Sequence, residues 1–285
     1  MKKDSAGHGQ GCLCSLGRKD AAGGAIQSWA VTSKRSFDTK KTNGGGACGA
    51  GHKLLEIYRL LEKHFGATGW WPGDSPFEIS VGAILTQNTN WSNVEKALAR
   101  IKAQGALSPQ ALYEMPEAEL AELIRPAGYF RVKARRLRAF LRLVMEDLGG
   151  DFDGLLRLPA KRLRELLLRV HGIGPETADD IVLYAAGRPV FVVDAYTRRI
   201  LGRHGLLRAA APYEEIRSFL EGALPRRTKL FKEFHALIVY AGKHYCRKVP
   251  RCAVCPLGTI KPIVVDGGNG DIQSAGGRIE SPHFP

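Results

Sequence analysis

The sequence contains no run of about 18 consecutive apolar residues, so a membrane-spanning helix is excluded. Acid is in short supply: 28 Asp and Glu face 42 Lys and Arg, a formal charge of +14. A field of that sign favours phosphate backbones and makes binding salt-sensitive. Met1-Lys2-Lys3 leads into no hydrophobic stretch, so no secretory leader is expected and the protein reads as cytoplasmic and nucleoid-associated. Strand-like alternation of apolar and polar residues is nearly absent, which points to an all-α fold. Cysteine is scarce as well. Of six, Cys12, Cys14 and Cys48 lie in a Gly-, Ser-, Ala- and Lys-rich stretch where no zinc spacing joins them, and they read as free thiols.

Between two aperiodic ends lies a long helical pattern. The 285 residues suit one large or two small domains, and 44% apolar content can support a core. Residues 1–52 form a basic tail and 263–285 a Gly-rich one, both read as disordered. The first 52 residues hold eight Lys or Arg against three Asp or Glu, and the last 23 hold one against three. Residues 53–262 therefore keep +11 and are basic in their own right. Apolar periodicity predicts helices at 54–65, 76–86, 90–101, 117–124, 132–148, 160–170, 175–185, 195–203 and 213–224.

The stretch from Val170 to Arg203 is the most informative. Leu163, Leu166, Leu167 and Leu168 form a helical stripe that His171-Gly172-Ile173-Gly174 interrupts. Both glycines are free to take positive φ and to admit a close backbone. Pro175 suits the first turn of the next helix. Such a turn leaves amides at Gly172, Ile173, Gly174 and Thr177 free to bind an anion. The apolar run Pro189–Val193 then delivers Asp194 to the start of another helix. An aspartate there is a good N-cap, and the helix dipole holds it ionised. Capping and electrostatic catalysis are compatible roles. Asp179 and Asp180, one turn into the second hairpin helix, read as ordinary dipole complementation.

Three blocks, in this order, carry a resemblance: Trp70-Trp71-Pro72 with Phe77 and Gly82–Thr89; the hairpin with Asp194; and Phe234-His235 followed by a cysteine cluster. Over about residues 53–261 the chain resembles the helix-hairpin-helix DNA glycosylases of the endonuclease III superfamily, and is most similar to their 3-methyladenine glycosylase branch. The resemblance implies two helical lobes, 76–188 in the middle and 53–75 with 189–262 beside it, and DNA entering a cleft between them. It implies a monomer acting on double-stranded DNA with damaged bases.

A damaged base is flipped out of the duplex before it is excised, and the gap must be plugged. The resemblance assigns the plug to Gln87; bridging between helices is the alternative reading. It assigns the base pocket to Trp70, Trp71 and Trp91, against the alternative of core packing. Indole faces attract cations by roughly 0.5–2 kcal/mol, so an N-alkylated, cationic purine would be preferred to the neutral normal base. Asp194 is the implied catalytic residue, stabilising the developing oxocarbenium ion. Members that also cut the strand carry a lysine nucleophile at the position of Glu176, and glutamate forms no Schiff base. A monofunctional glycosylase follows, with weak or absent lyase activity. Endonuclease III-like lyase action on oxidised pyrimidines or mismatched thymine, with Lys161 or Lys133 as substitute nucleophile, is the alternative. A non-catalytic DNA-binding module is a third.

Cys246, Cys252 and Cys255 resemble part of the 4Fe-4S run found in some members. Such a run ends in a fourth cysteine, and Lys261 stands in its place. Three thiolates leave three arrangements open: a cluster with an open iron, zinc completed by a ligand such as His244, or relic cysteines. A bound cluster would be structural, presenting Arg247, Lys248 and Arg251 to phosphates.

Overall fold

The computed structural model describes residues 46–208 and 210–260, with the side chains of residues 46–48 left out. Cys12, Cys14, the tail 263–285, Pro262 and Lys261 lie outside the described residues. The described chain is all-helical, as expected, with no strand among those residues. None of its helices is long and apolar enough to cross a membrane.

Twelve α-helices follow one another: α1 Gly46–Phe65, α2 Pro76–Leu85, α3 Trp91–Ala103, α4 Pro109–Glu114, α5 Glu117–Leu123, α6 Phe130–Arg142, α7 Phe152–Arg157, α8 Ala160–Arg169, α9 Pro175–Asp180, α10 Ala195–Arg203, α11 Tyr213–Ala223 and α12 Thr228–His244. Wider π-type turns, Leu143–Asp147 and Ile181–Ala185, prolong α6 and α9. Many starts are set by a side-chain oxygen taking an amide left free at the N-terminus. Ser75, Asn90, Ser108, Asp151 and Asp194 do this for α2, α3, α4, α7 and α10.

Helix α1 begins inside the segment read as a tail. Gly51 lies against the end of α11, where an added Cβ would stand 2.7 Å from the Ala223 carbonyl oxygen. Close packing orders residues whose composition alone resembles a linker. Helices α4, α7 and α12 were not among those expected. The first two span six residues each, too few to show a period. In α12, Gly242 breaks the apolar pattern because Tyr196 occupies its side, 2.1 Å from where a Cβ would be.

Two apolar cores organise the chain. One joins α2 to α9 around Ile84, Val94, Leu137, Phe140 and Ile181. The other joins α1 and α10 to α12 around Leu54, Phe191, Ile200, Phe231 and Phe234. Trp71 packs against both. The run Val190–Val193 is buried and extended without strand partners. Side chains satisfy its amides instead: Glu221 Oε1 accepts from Phe191 N at 3.1 Å, and the Tyr213 hydroxyl from Val193 N at 3.4 Å. Asp194 is thereby brought to where the two cores meet.

Candidate active site

The turn between α8 and α9 is tight for a steric reason. Gly172 has φ +85°, and a Cβ there would lie 2.3 Å from Arg136 Cγ on α6. Gly174 is different: its φ of −88° needs no glycine, but a Cβ would meet nothing within 4 Å. The glycine at 174 leaves open space before the N-terminus of α9. Only Gly172 uses positive φ, contrary to the expectation for both. Ile173 is buried in the first core, and its amide already donates to Val170 O at 3.1 Å. That amide is spent on the turn, which leaves Gly172 and Gly174 as the closer fit to the anion role. Thr177 is buried too, and its hydroxyl accepts from Gln87 Nε2 at 2.9 Å.

Gln87 follows α2 and is tied down. Its Nε2 also donates to Gly172 O at 3.0 Å, while Arg136 donates to its Oε1. Of the two readings made for it, bridging describes the free protein. As a plug it would have to release the hairpin first.

Asp194 sits at the N-cap of α10, 9% exposed. Its Oδ1 accepts from Thr197 N at 2.7 Å. Its Oδ2 lies 3.8 Å from His235 Nε2, a nitrogen that is buried without a hydrogen-bond partner. On the other side of the ring, Nδ1 is 2.7 Å from the Tyr184 hydroxyl. Burial lowers the pKa of His235 although Asp194 opposes it, so the ring is neutral at ordinary pH.

Helix α9 turns three more carboxyl groups towards this point, at the i, i+3 and i+4 positions that share a face. Glu176 is reached by water but hemmed in by protein, and that crowding, with Asp194 beside it and Arg198 opposing, pushes its pKa up to about 7. Asp179 is fully buried; its pKa rises through desolvation, restrained by Arg164 at 2.6 Å and by the Tyr213 hydroxyl at 2.8 Å. Asp180 is buried with no partner for Oδ1. Desolvation, then Glu176, Asp194 and Asp179, raises its pKa well above the usual carboxylate range. Neither residue is the exposed dipole partner that the sequence suggested. Their flanking by Ala178, Ile181 and Val182 was the available signal.

The three tryptophans form one cluster. Ring centroids are 5.4 Å apart for Trp70–Trp71 and 5.2 Å for Trp70–Trp91 and Trp71–Trp91. Trp71 continues at 5.2 Å to Tyr184, the partner of His235. The aromatic cluster is therefore contiguous with the Asp194 carboxylate. Gly82 faces it, with a Cβ position 3.3 Å from both Trp71 and Trp91. Lys133, once a substitute nucleophile, is 1% exposed and donates to Ala127 O at 2.6 Å, so it braces a turn inside the first core. Burial pushes its pKa down to about 8. Lys161 is exposed on α8.

Cys246, Cys252 and Cys255 line a separate cavity of about 190 Å³ at the other end of α10. Arg203 Nη1 lies 3.2 Å from Cys246 Sγ and also holds Arg247 O, and Arg199 Nε donates to Cys246 O at 2.6 Å. His244, offered as a zinc ligand, is not part of that lining; it is exposed at the end of α12 and stacks on Tyr240. Among the described residues no three His, Cys, Asp or Glu side chains converge as a single metal ion requires.

The hairpin with its open glycine, the Asp194 that caps α10 and the aromatic cluster thus lie together where the two cores meet. Residues 81–226 match the family model described as the HhH-GPD superfamily base excision DNA repair protein, and the chain belongs to that family of DNA glycosylases. A Methanocaldococcus jannaschii protein bearing the name of a DNA repair glycosylase is 42% identical over 72% of this chain and 93% of its own length. Endonuclease III of Bacillus subtilis is 27% identical over 64% of this chain and 79% of its own. Among solved structures, an endonuclease III–DNA complex superposes with TM-score 0.64 at 23% identity, covering 74% of this chain and 94% of that one. An H. pylori 3-methyladenine DNA glycosylase bound to 1,N6-ethenoadenine superposes with TM-score 0.58 at 28% identity, covering 68% and 97%.

Proposed function

We propose that the protein is a monofunctional DNA glycosylase that releases alkylated, cationic purines from duplex DNA by hydrolysis. One observation carries the reading: the Asp194 carboxylate is capped, contiguous with the tryptophan cluster, and accompanied by Glu176 where a lyase would need lysine. The hairpin at Gly172 and Gly174 holds a phosphate beside the lesion, and Gln87, released from it, fills the gap left by the flipped base. Trp70, Trp71 and Trp91 receive that base. Lys243 Nζ already lies 5.8 Å from the centre of the Trp70 ring. Surrounding protein lowers its pKa, whereas Asp194 and Glu95 favour its charge. Those two carboxylates are groups that a cationic purine would also meet. The H. pylori relative, bound to a modified adenine, supports a purine pocket.

The chemistry then asks little of an acid, because alkylation has made the purine a good leaving group. Asp194 stabilises the oxocarbenium ion as the glycosidic bond stretches and orients the water that attacks it. The Thr197 amide keeps the carboxylate from turning away.

Incubating the full chain with methylated DNA and, separately, with oxidised-pyrimidine duplexes tests the reading, with products analysed before and after alkali. Free 3-methyladenine, with strand breaks only after alkali, is the expected result. Asp194→Asn should lower release by about 100- to 1,000-fold and leave DNA binding in place, because asparagine caps a helix almost as well as aspartate. Breaks without alkali on the oxidised substrate would favour the lyase alternative. Unchanged release by the variant would remove Asp194 from the mechanism, and binding with no release from either substrate would leave a DNA-binding module.

A further inference from the structure

We propose that His204 takes the place of the absent fourth cysteine, and that Cys246, Cys252, Cys255 and His204 together hold a 4Fe-4S cluster. All four side chains line the same cavity. His204 Nδ1 is buried with no hydrogen-bond partner, a costly arrangement for a polar atom unless something binds it. A ligating histidine needs one ring nitrogen free of other partners, and Nδ1 meets that condition.

The donor set separates a cluster from zinc. Zinc gathers four donors at about 2.0–2.3 Å around one ion, whereas the four side chains here are set around a cavity of about 190 Å³. In a cubane each iron takes one protein ligand, so the ligands stand apart around a larger body. The loop is also held before anything binds. Arg203 Nη1 faces Cys246 Sγ, and Nη2 donates to Lys248 O at 3.0 Å. Gly258 lets the chain close on itself, since a Cβ there would be 2.4 Å from Cys252 O. On binding, each thiol gives up its proton and His204, already neutral, gives up none. The cluster carries one negative charge fewer than with four thiolates, and its reduction potential is correspondingly higher.

The test loads the full-length chain anaerobically with equal amounts of ferrous and ferric iron and with sulfide, using protein labelled with 15N-histidine. Iron and sulfide per chain are measured, and the reduced cluster is examined by pulsed electron paramagnetic resonance. The expected result is four of each per chain and a nitrogen coupling that follows the label. His204→Cys should keep the iron content, lose the coupling and lower the reduction potential. His204→Ala should lose one iron on oxidation and show a three-iron signal, whereas His244→Ala should behave as the parent. A parent chain that assembles no cluster, or one without nitrogen coupling, would overturn the proposal. So would a His204→Ala spectrum identical to the parent's. None of these readouts depends on glycosylase activity, so the fate of the proposed reaction does not bear on them.

Discussion

Glu176 shows what a single position decides. It puts a second carboxyl group near Asp194, with a pKa pushed up to about 7 by crowding and by that neighbour. Below that pH it is neutral; above it, it adds negative charge where, in the proposed reaction, the sugar becomes positive. Base release should therefore rise as pH increases through about 7, and Glu176→Gln should flatten this limb in single-turnover rates. An unchanged pH profile would separate Glu176 from the reaction. Asp180 has a consequence for stability instead. Its raised pKa means that the folded chain holds a proton which the unfolded chain releases near pH 4. That contribution is complete at lower pH and is lost as pH rises towards the folded value. Asp180→Asn carries no such term, so its melting temperature should gain on the parent's as pH rises above about 4. Parallel curves for the two proteins would show that Asp180 is not held protonated. Asp194 and Glu176 could be singled out in the sequence because the family resemblance points to their positions beside the hairpin. Asp180, His235 and His204 were not, because their isolation from partners exists only after three or more helices have closed around them.

At the scale of elements, the hairpin is braced from two sides. Gly172 touches Arg136 on α6, and both its carbonyl and the Thr177 hydroxyl are held by Gln87 after α2. Gly172→Ala would have to accept positive φ, at about 1–2 kcal/mol, and displace the Arg136 side chain as well. Chemical denaturation should show at least that loss, and DNA affinity should fall with it. Wild-type stability in the variant would mean that the turn is looser than its geometry implies. Gly174→Ala, at a position with ordinary φ and open space, is the matching control: it should fold normally. Helix placement was readable wherever apolar periodicity ran for two turns or more. The short α4 and α7 escaped it, as did α12, whose pattern Gly242 breaks, and the π-type turns Leu143–Asp147 and Ile181–Ala185 carry the same residues as the helices that they extend. The run Pro189–Val193 has the composition of a strand, yet stays unpaired because Glu221 and Tyr213 take its amides.

At the scale of the whole molecule, charge and pocket divide the work of recognition. Residues 53–262 carry +11, a long-range field that acts on any phosphate backbone and releases counterions in proportion to the phosphates neutralised. On the proposed reading the aromatic cluster acts only on the base that enters it, where screening by salt is weaker. Affinity for DNA should consequently fall steeply with salt, with a log–log slope of about −0.9 for each phosphate contact. Undamaged and methylated duplexes should share that slope. Their ratio, set on the proposed reading by Trp70, Trp71, Trp91 and Asp194, should hold nearly constant as both affinities decline. Binding isotherms for the two duplexes between about 50 and 200 mM salt decide the matter. If the ratio collapsed along with affinity, discrimination would belong to the protein's surface field, and the tryptophans would be packing between the two cores and no more.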